Sequence, residues 1–287
     1  MTFTTLIDTT TLSRHLDDPS LVVVDCRFKL DDIEWGAGEY EARHIPGAAY
    51  AHLDRDLSGT RTGGNGRHPL PDATRFARTL GDLGIDERVQ VVVYDQDSGM
   101  YASRLWWMLR WMGHDRAALV DGGLARWLAG NRPTRAGRER RQPRVFRPKP
   151  RPGMVVDSSE VAALLDRSDS RLLDGRAPDR FRGENEILDA KAGHIPGAAN
   201  HFFKWNLKED NTFQSTEKLR EQFDQSLGGI PPDRVVSYCG SGVTACHNLL
   251  AMEHVGLKGA RLYAGSWSEW SSDPVRPTDP PQDKVKS

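Results

Sequence analysis

Cysteine is scarce in this chain, with three thiols in 287 residues. That is too few for a disulfide framework, and the odd number leaves at least one thiol unpaired. Long apolar runs are missing too: none approaches the ~20 residues that a membrane-spanning helix needs. The opening MTFTTLIDTTTL has no basic flank followed by an apolar stretch, so no secretory signal is read there. A cytoplasmic protein with no membrane partner is the expectation. Net charge is nearly absent, at a formal −1, which sets the molecule as a whole apart from polyanion binders. What is present is 38% hydrophobic and 28% charged residues, the make-up of a globular protein of one large or two ordinary domains.

The charge balance hides a local excess. Residues 131–153, NRPTRAGRERRQPRVFRPKPRPG, hold eight Arg and one Lys against one Glu, a net +8 that leaves −9 on the rest of the chain. Basic segments of this kind can hold nucleic acid. This one has five prolines, a single aromatic and no folded frame, so nucleic acid is not an expected partner. A linker lying against two acidic domains fits better.

The segment separates two halves that repeat each other. EARHIPGAA (residues 41–49) returns as KAGHIPGAA (residues 191–199), and LVDGGLARW (119–127) returns as LYAGSWSEW (262–270). Before each HIPGA lies a short apolar strand ending in an acid and, two places on, an arginine: Asp25 with Arg27, and Asp174 with Arg176. These pairs read as ion pairs or turn bonds inside each half. After each HIPGA comes an amphipathic stretch (73–83; 217–227), then a second strand (89–94; 234–238), a loop, a helix and a third strand. Two copies of a hundred-odd residues exceed any solenoid period, so this is a duplicated domain. Strands alternating with helices predict an α/β fold, with a mostly parallel sheet in each half covered by helices on both faces. The expected domains are 1–130 and 154–287, joined by the linker 131–153. Asp157 and Glu160 supply a capping box for the first helix of the second half.

The second half carries the chemistry. In VVSYCGSGVTACH (residues 235–247) a buried-strand pattern stops at Cys239. The residues after it, Gly240, Ser241, Gly242, Val243 and Thr244, are small or hydroxylated, and their amides can curl into an anion nest that feeds a helix N-terminus. Such a field favours thiolate, and the Ser241 and Thr244 hydroxyls add donors. The plain alternative, a buried cysteine acting as a small apolar group, sits poorly between a strand and two glycines. A Cys239–Cys246 disulfide is not expected: with helix from Ala245 the seven residues span about 10 Å. His247 adjoins Cys246 rather than standing at ligand spacing, so no metal is expected. In the first half, VVVYDQDSGMYAS puts Asp95 where Cys239 stands, read as solvated or paired.

Duplicated halves, HIPGA motifs, YCGSGVTACH and a closing GSWSEW together resemble the two-domain rhodanese family of sulfurtransferases, over nearly the whole chain. The resemblance implies that Cys239 takes a sulfane sulfur as a persulfide and passes it to an acceptor thiol, thioredoxin-like or of low molecular weight, or to cyanide. The residues 240–244 would cradle that persulfide, and the Asp95 half would be silent. It also implies a proton-handling histidine and serine, matched here by His44 and Ser241, with Asp31 or Asp32 as the acid. His194, the copy of His44, argues for a turn role at that motif. No organic cofactor or metal is implied.

The neutral CGSGVT loop is similar to that of members preferring 3-mercaptopyruvate, whereas cationic loops accompany thiosulfate. Mercaptopyruvate members grip the donor with two arginines, a task suited to guanidinium. Arg180 matches the first; the second position is Asp189, with Arg182 or Lys191 as substitutes. The alternatives are a thiosulfate sulfurtransferase and, from another class, a non-catalytic binding module of the same fold. A phosphatase of this fold needs arginine six places after its cysteine, where this chain has Ala245.

Overall fold

The computed structural model describes residues 2–280. Among them lie two five-stranded sheets in which all neighbouring strands are parallel. In the first, β1 (Leu6–Ile7), β2 (Leu21–Asp25), β3 (Ala49–Tyr50), β4 (Gln90–Tyr94) and β5 (Ala117–Val120) run in the order β1-β5-β4-β2-β3. The second repeats it with β6 (Val155–Val156), β7 (Arg171–Asp174), β8 (Ala199–Asn200), β9 (Val235–Tyr238) and β10 (Arg261–Tyr263), ordered β6-β10-β9-β7-β8. LVVVD and QVVVY are buried at every position, as strands covered on both faces must be.

Local chemistry sets the helices. Asp72 caps Ala73–Asp82 by accepting from the amides of Thr74 and Arg75, and Phe76, Ala77 and Leu80 face inward. Asp157 and Glu160 form the expected reciprocal capping box before Ser158–Ala162. Each strand-end pair is a buried bidentate bridge: Arg27 binds Asp25, with Nη2 to Oδ2 at 2.7 Å, and Arg176 binds Asp174 at 2.8 Å. Both arginines also donate to the chain before HIPGA, at the carbonyls of Arg43 and Gly193. These groups hold the strand ends in place.

The two compact units depart from simple chain order. One gathers residues 2–59, 70–152 and 207–213; the other gathers 60–69, 153–206 and 214–280. Each half therefore contributes a short segment to the other unit. The basic stretch differs from the expected linker between two acidic domains, because it is clasped along the first unit. Arg141 donates to the carbonyls of Leu21 and Gly47, Arg144 and Arg151 pair with Asp86 and Asp115, and Phe146 is buried. Most of its cations are used within the molecule. No helix of the described residues is long and apolar enough to cross a membrane.

Candidate functional site

Cys239 follows β9, and the backbone beyond it turns through Gly242, at φ +75°, into the helix Thr244–His254. The carbonyls of Cys239 and Gly240 accept from the amides of Trp267 and Ser268, both at 2.9 Å. The Cys239 amide donates to Ser266 Oγ at 3.1 Å, and that hydroxyl donates to the Tyr263 carbonyl. Ser266 sits at φ +54°, a left-handed conformation unusual for a residue with a Cβ. These bonds fix the start of the loop against the turn at residues 263–268.

The first unit shows what such a loop does with an anion. There the carbonyls of Asp95 and Gln96 accept from Leu124 and Ala125, as Cys239 and Gly240 do in the second unit. The Asp95 carboxylate accepts from the amides of Gly99 at 2.9 Å, Tyr101 at 2.8 Å and Ala102 at 3.2 Å. Of the two expected states, solvated or paired, Asp95 takes the second: it is fully buried and its carboxylate is paired with main-chain donors. Burial pushes its carboxyl up to about 6, against the downward pull of those amides.

Ser241 Oγ lies 2.7 Å from Nδ1 of His68, both buried. His68 belongs to residues 60–69, which count with the second unit. Gly66 lets this segment approach: at φ +82°, an added Cβ would stand 2.6 Å from the Gly265 carbonyl oxygen. Arg67 follows, its amide donating to Ser268 Oγ at 3.0 Å and its Nη1 paired with Asp189. Arg180 engages Glu186 through Nε and Nη2 and reaches Asp189 at 3.1 Å.

A family model described as Rhodanese-like domain matches residues 8–130 and again 157–273. The chain belongs to the rhodanese family. A relative from Pseudomonas aeruginosa named "Probable 3-mercaptopyruvate sulfurtransferase" is 47% identical over 268 residues, 93% of this chain and 94% of the relative. The 3-mercaptopyruvate sulfurtransferase of Homo sapiens is 39% identical over 236 residues, 81% of this chain and 78% of the human one. The solved 3-mercaptopyruvate sulfurtransferase from Leishmania major superposes with a TM-score of 0.83 at 30% identity, over 93% of this chain and 74% of that one.

In this rhodanese several expected site residues stand elsewhere. His44 is packed inside the first unit, its ring stacked on Tyr40, Nδ1 bonded to the Tyr40 carbonyl at 2.7 Å, and Nε2 3.6 Å from Glu139. Its main chain bridges to Arg135, so it pins the basic stretch, and the histidine on Ser241 is His68. Asp31 and Asp32 lie on an exposed stretch of that same unit. Arg182 is exposed and spent on Glu184, while Lys191 donates to the carbonyls of Asp273, Pro274 and Arg276. Neither substitutes for an arginine at position 189.

Cys239 itself is only 2% exposed, more enclosed than a nucleophile at an open strand end. The other two cysteines, Cys26 and Cys246, are also buried and form no disulfide. Burial, and then the Asp25 charge, push the Cys26 thiol well above its ordinary range. No cluster of His, Cys, Asp or Glu among the described residues could hold a metal ion.

Proposed function

We propose that this rhodanese is a sulfurtransferase that takes sulfur from 3-mercaptopyruvate onto Cys239 and passes it to a thiol acceptor or to cyanide. The observation that carries this reading is Cys239 on the loop between β9 and the helix Thr244–His254, with Ser241 of that loop bonded to a buried histidine. The Cys239 thiolate attacks the mercapto sulfur; an S–S bond forms, the C–S bond breaks, and its electron pair leaves as the enolate of pyruvate. The proton of the mercapto group ends on the enolate carbon, and Ser241 with His68 supplies the path for it. The persulfide anion rests where amide dipoles favour negative charge. An acceptor thiolate then takes the outer sulfur and regenerates the Cys239 thiolate. Cyanide does the same and leaves as thiocyanate.

The unit built on residues 153–206 and 214–280 carries this chemistry, with residues 60–69 of the first half counted in it, and the first unit, with Asp95 in the cysteine's place, has no nucleophile of its own. The compartment that suits it is the cytoplasm, where acceptor thiols stay reduced. Mercaptopyruvate is favoured over thiosulfate because the loop is neutral and the charged groups beside it, Arg67 and Arg180 with Glu186 and Asp189, balance. A binding module without turnover draws its support from the burial of Cys239. Intact-mass measurement after incubation with mercaptopyruvate separates the two: the protein gains one sulfur and Cys239→Ser does not. Absence of that gain with either donor favours the binding module. A higher specificity constant for thiosulfate overturns the choice of donor.

A further inference from the structure

Four charged side chains converge beside the residue after Cys239. A methyl group placed on Gly240 would lie 2.8 Å from Arg67 Nη2 and 3.5 Å from Arg180 Nη1. These are not the nitrogens that the carboxylates occupy. Arg67 uses Nη1 for Asp189, and Arg180 uses Nε and Nη2 for Glu186 and Asp189. The carboxylate side chains of Glu186 and Asp189 are 3% exposed, whereas those of Arg67 and Arg180 are 23% and 19% exposed. The anions therefore lie behind and the open N–H groups face the Cys239 loop. Crowding agrees with this: burial, and then the neighbouring Arg180, lower the Arg67 pKa, so a further anion is welcome there.

We propose that Arg67 Nη2 and Arg180 Nη1 together grip the carboxylate of the sulfur donor, and that Asp189 is a positioning residue that anchors both guanidiniums. The donor class is then a small carboxylate with its transferable sulfur a few bonds from the charged end. Asp189, at the place where the resemblance implied a second arginine, anchors a substitute brought in from residue 67. This inference rests on the proposed sulfur transfer at Cys239, and its test is arranged so that the two can fail separately.

The probes are 3-bromopyruvate and bromoacetone, which offer Cys239 the same electrophilic carbon and ketone and differ by a carboxylate. Alkylation is followed at Cys239 by peptide mass. The expected wild-type result is saturable reaction with bromopyruvate and a preference over bromoacetone of about 10- to 100-fold, the range of one or two charge-assisted hydrogen bonds. Arg67→Gln abolishes most of that preference, read as the ratio of the two rates so that any general change in Cys239 reactivity cancels, and circular dichroism reports that the variant is folded. Arg67→Lys, keeping the charge without the fork, retains part of it, and Asp189→Asn weakens it. For mercaptopyruvate, Arg67→Gln raises KM by a similar factor. An unchanged preference in Arg67→Gln overturns the clamp even if mercaptopyruvate still loads Cys239 with sulfur. A preference that depends on Arg67 in a protein that never gains sulfur upholds the clamp and overturns the transfer reading instead.

Discussion

His68 and Ser241 stand 173 positions apart in the sequence, and their Nδ1 and Oγ atoms lie 2.7 Å apart. The hydroxyl is two residues from Cys239, in the loop proposed to cradle the persulfide, and the proposed proton path runs through this pair. Exchanging His68 for Asn removes the ring nitrogen that handles the proton. The expected loss in kcat/KM with mercaptopyruvate is about 10²- to 10³-fold, the scale of acid–base assistance, beyond the loss of about 1–3 kcal/mol of stability that follows from disturbing a buried hydrogen-bonded side chain. His44→Asn should show only the second effect, destabilising the protein by about 1–3 kcal/mol as a buried partner is lost while the folded protein turns over normally. Paired kinetics and urea titrations decide it. A collapse of turnover in folded His44→Asn, with His68→Asn unaffected, would restore the first histidine to the mechanism.

Asp95 makes stability depend on acidity. Its carboxyl is raised by burial from an ordinary 3.8 to about 6, so the folded state holds its proton more tightly than the unfolded chain. The sign follows: its favourable contribution is complete below pH 4, fades as pH rises to about 6, and above that a buried carboxylate remains at a cost on the order of 3 kcal/mol. Asp95→Asn does not titrate. The stability of wild type minus that of Asp95→Asn should therefore fall between pH 4 and 6.5 in urea titrations; a flat difference sinks the argument.

Ser266 holds a left-handed backbone and bonds the Cys239 amide, whereas Gly123 has φ +54° at the matching place in the first unit. Ser266→Gly loses the bond but relieves the strain; Ser266→Ala loses the bond and keeps the strain. The alanine variant should be the less stable by about 1 kcal/mol, measured by chemical denaturation. Equal stability would mean the backbone there carries no strain.

The duplication, the strands and the caps were legible because their signals are local: apolar runs for β2 and β4, Asp157 three places before Glu160, and HIPGA written twice. Cys239 and its loop drew the site proposal for the same reason, a local pattern of strand, thiol and glycines. His68 was not, since attention went to the repeated histidine, and repetition marks a structural duty. The useful signal was the opposite one, GNGRHP at residues 64–69, which has no copy in the second half. Asp189 read as a defect for a related reason. Its partner Arg67 is 122 residues away, and no spacing rule connects them.

The segment 60–69 counts with the unit built largely from the other half of the chain, and 207–213 makes the return exchange. A gene cut at the basic stretch would yield a downstream piece that keeps Cys239 but leaves behind His68 and Arg67, the groups proposed to carry the proton and to grip the donor. Each half is therefore short of a segment that its own compact unit takes from the other, so the two are expected to fold and to be engineered together.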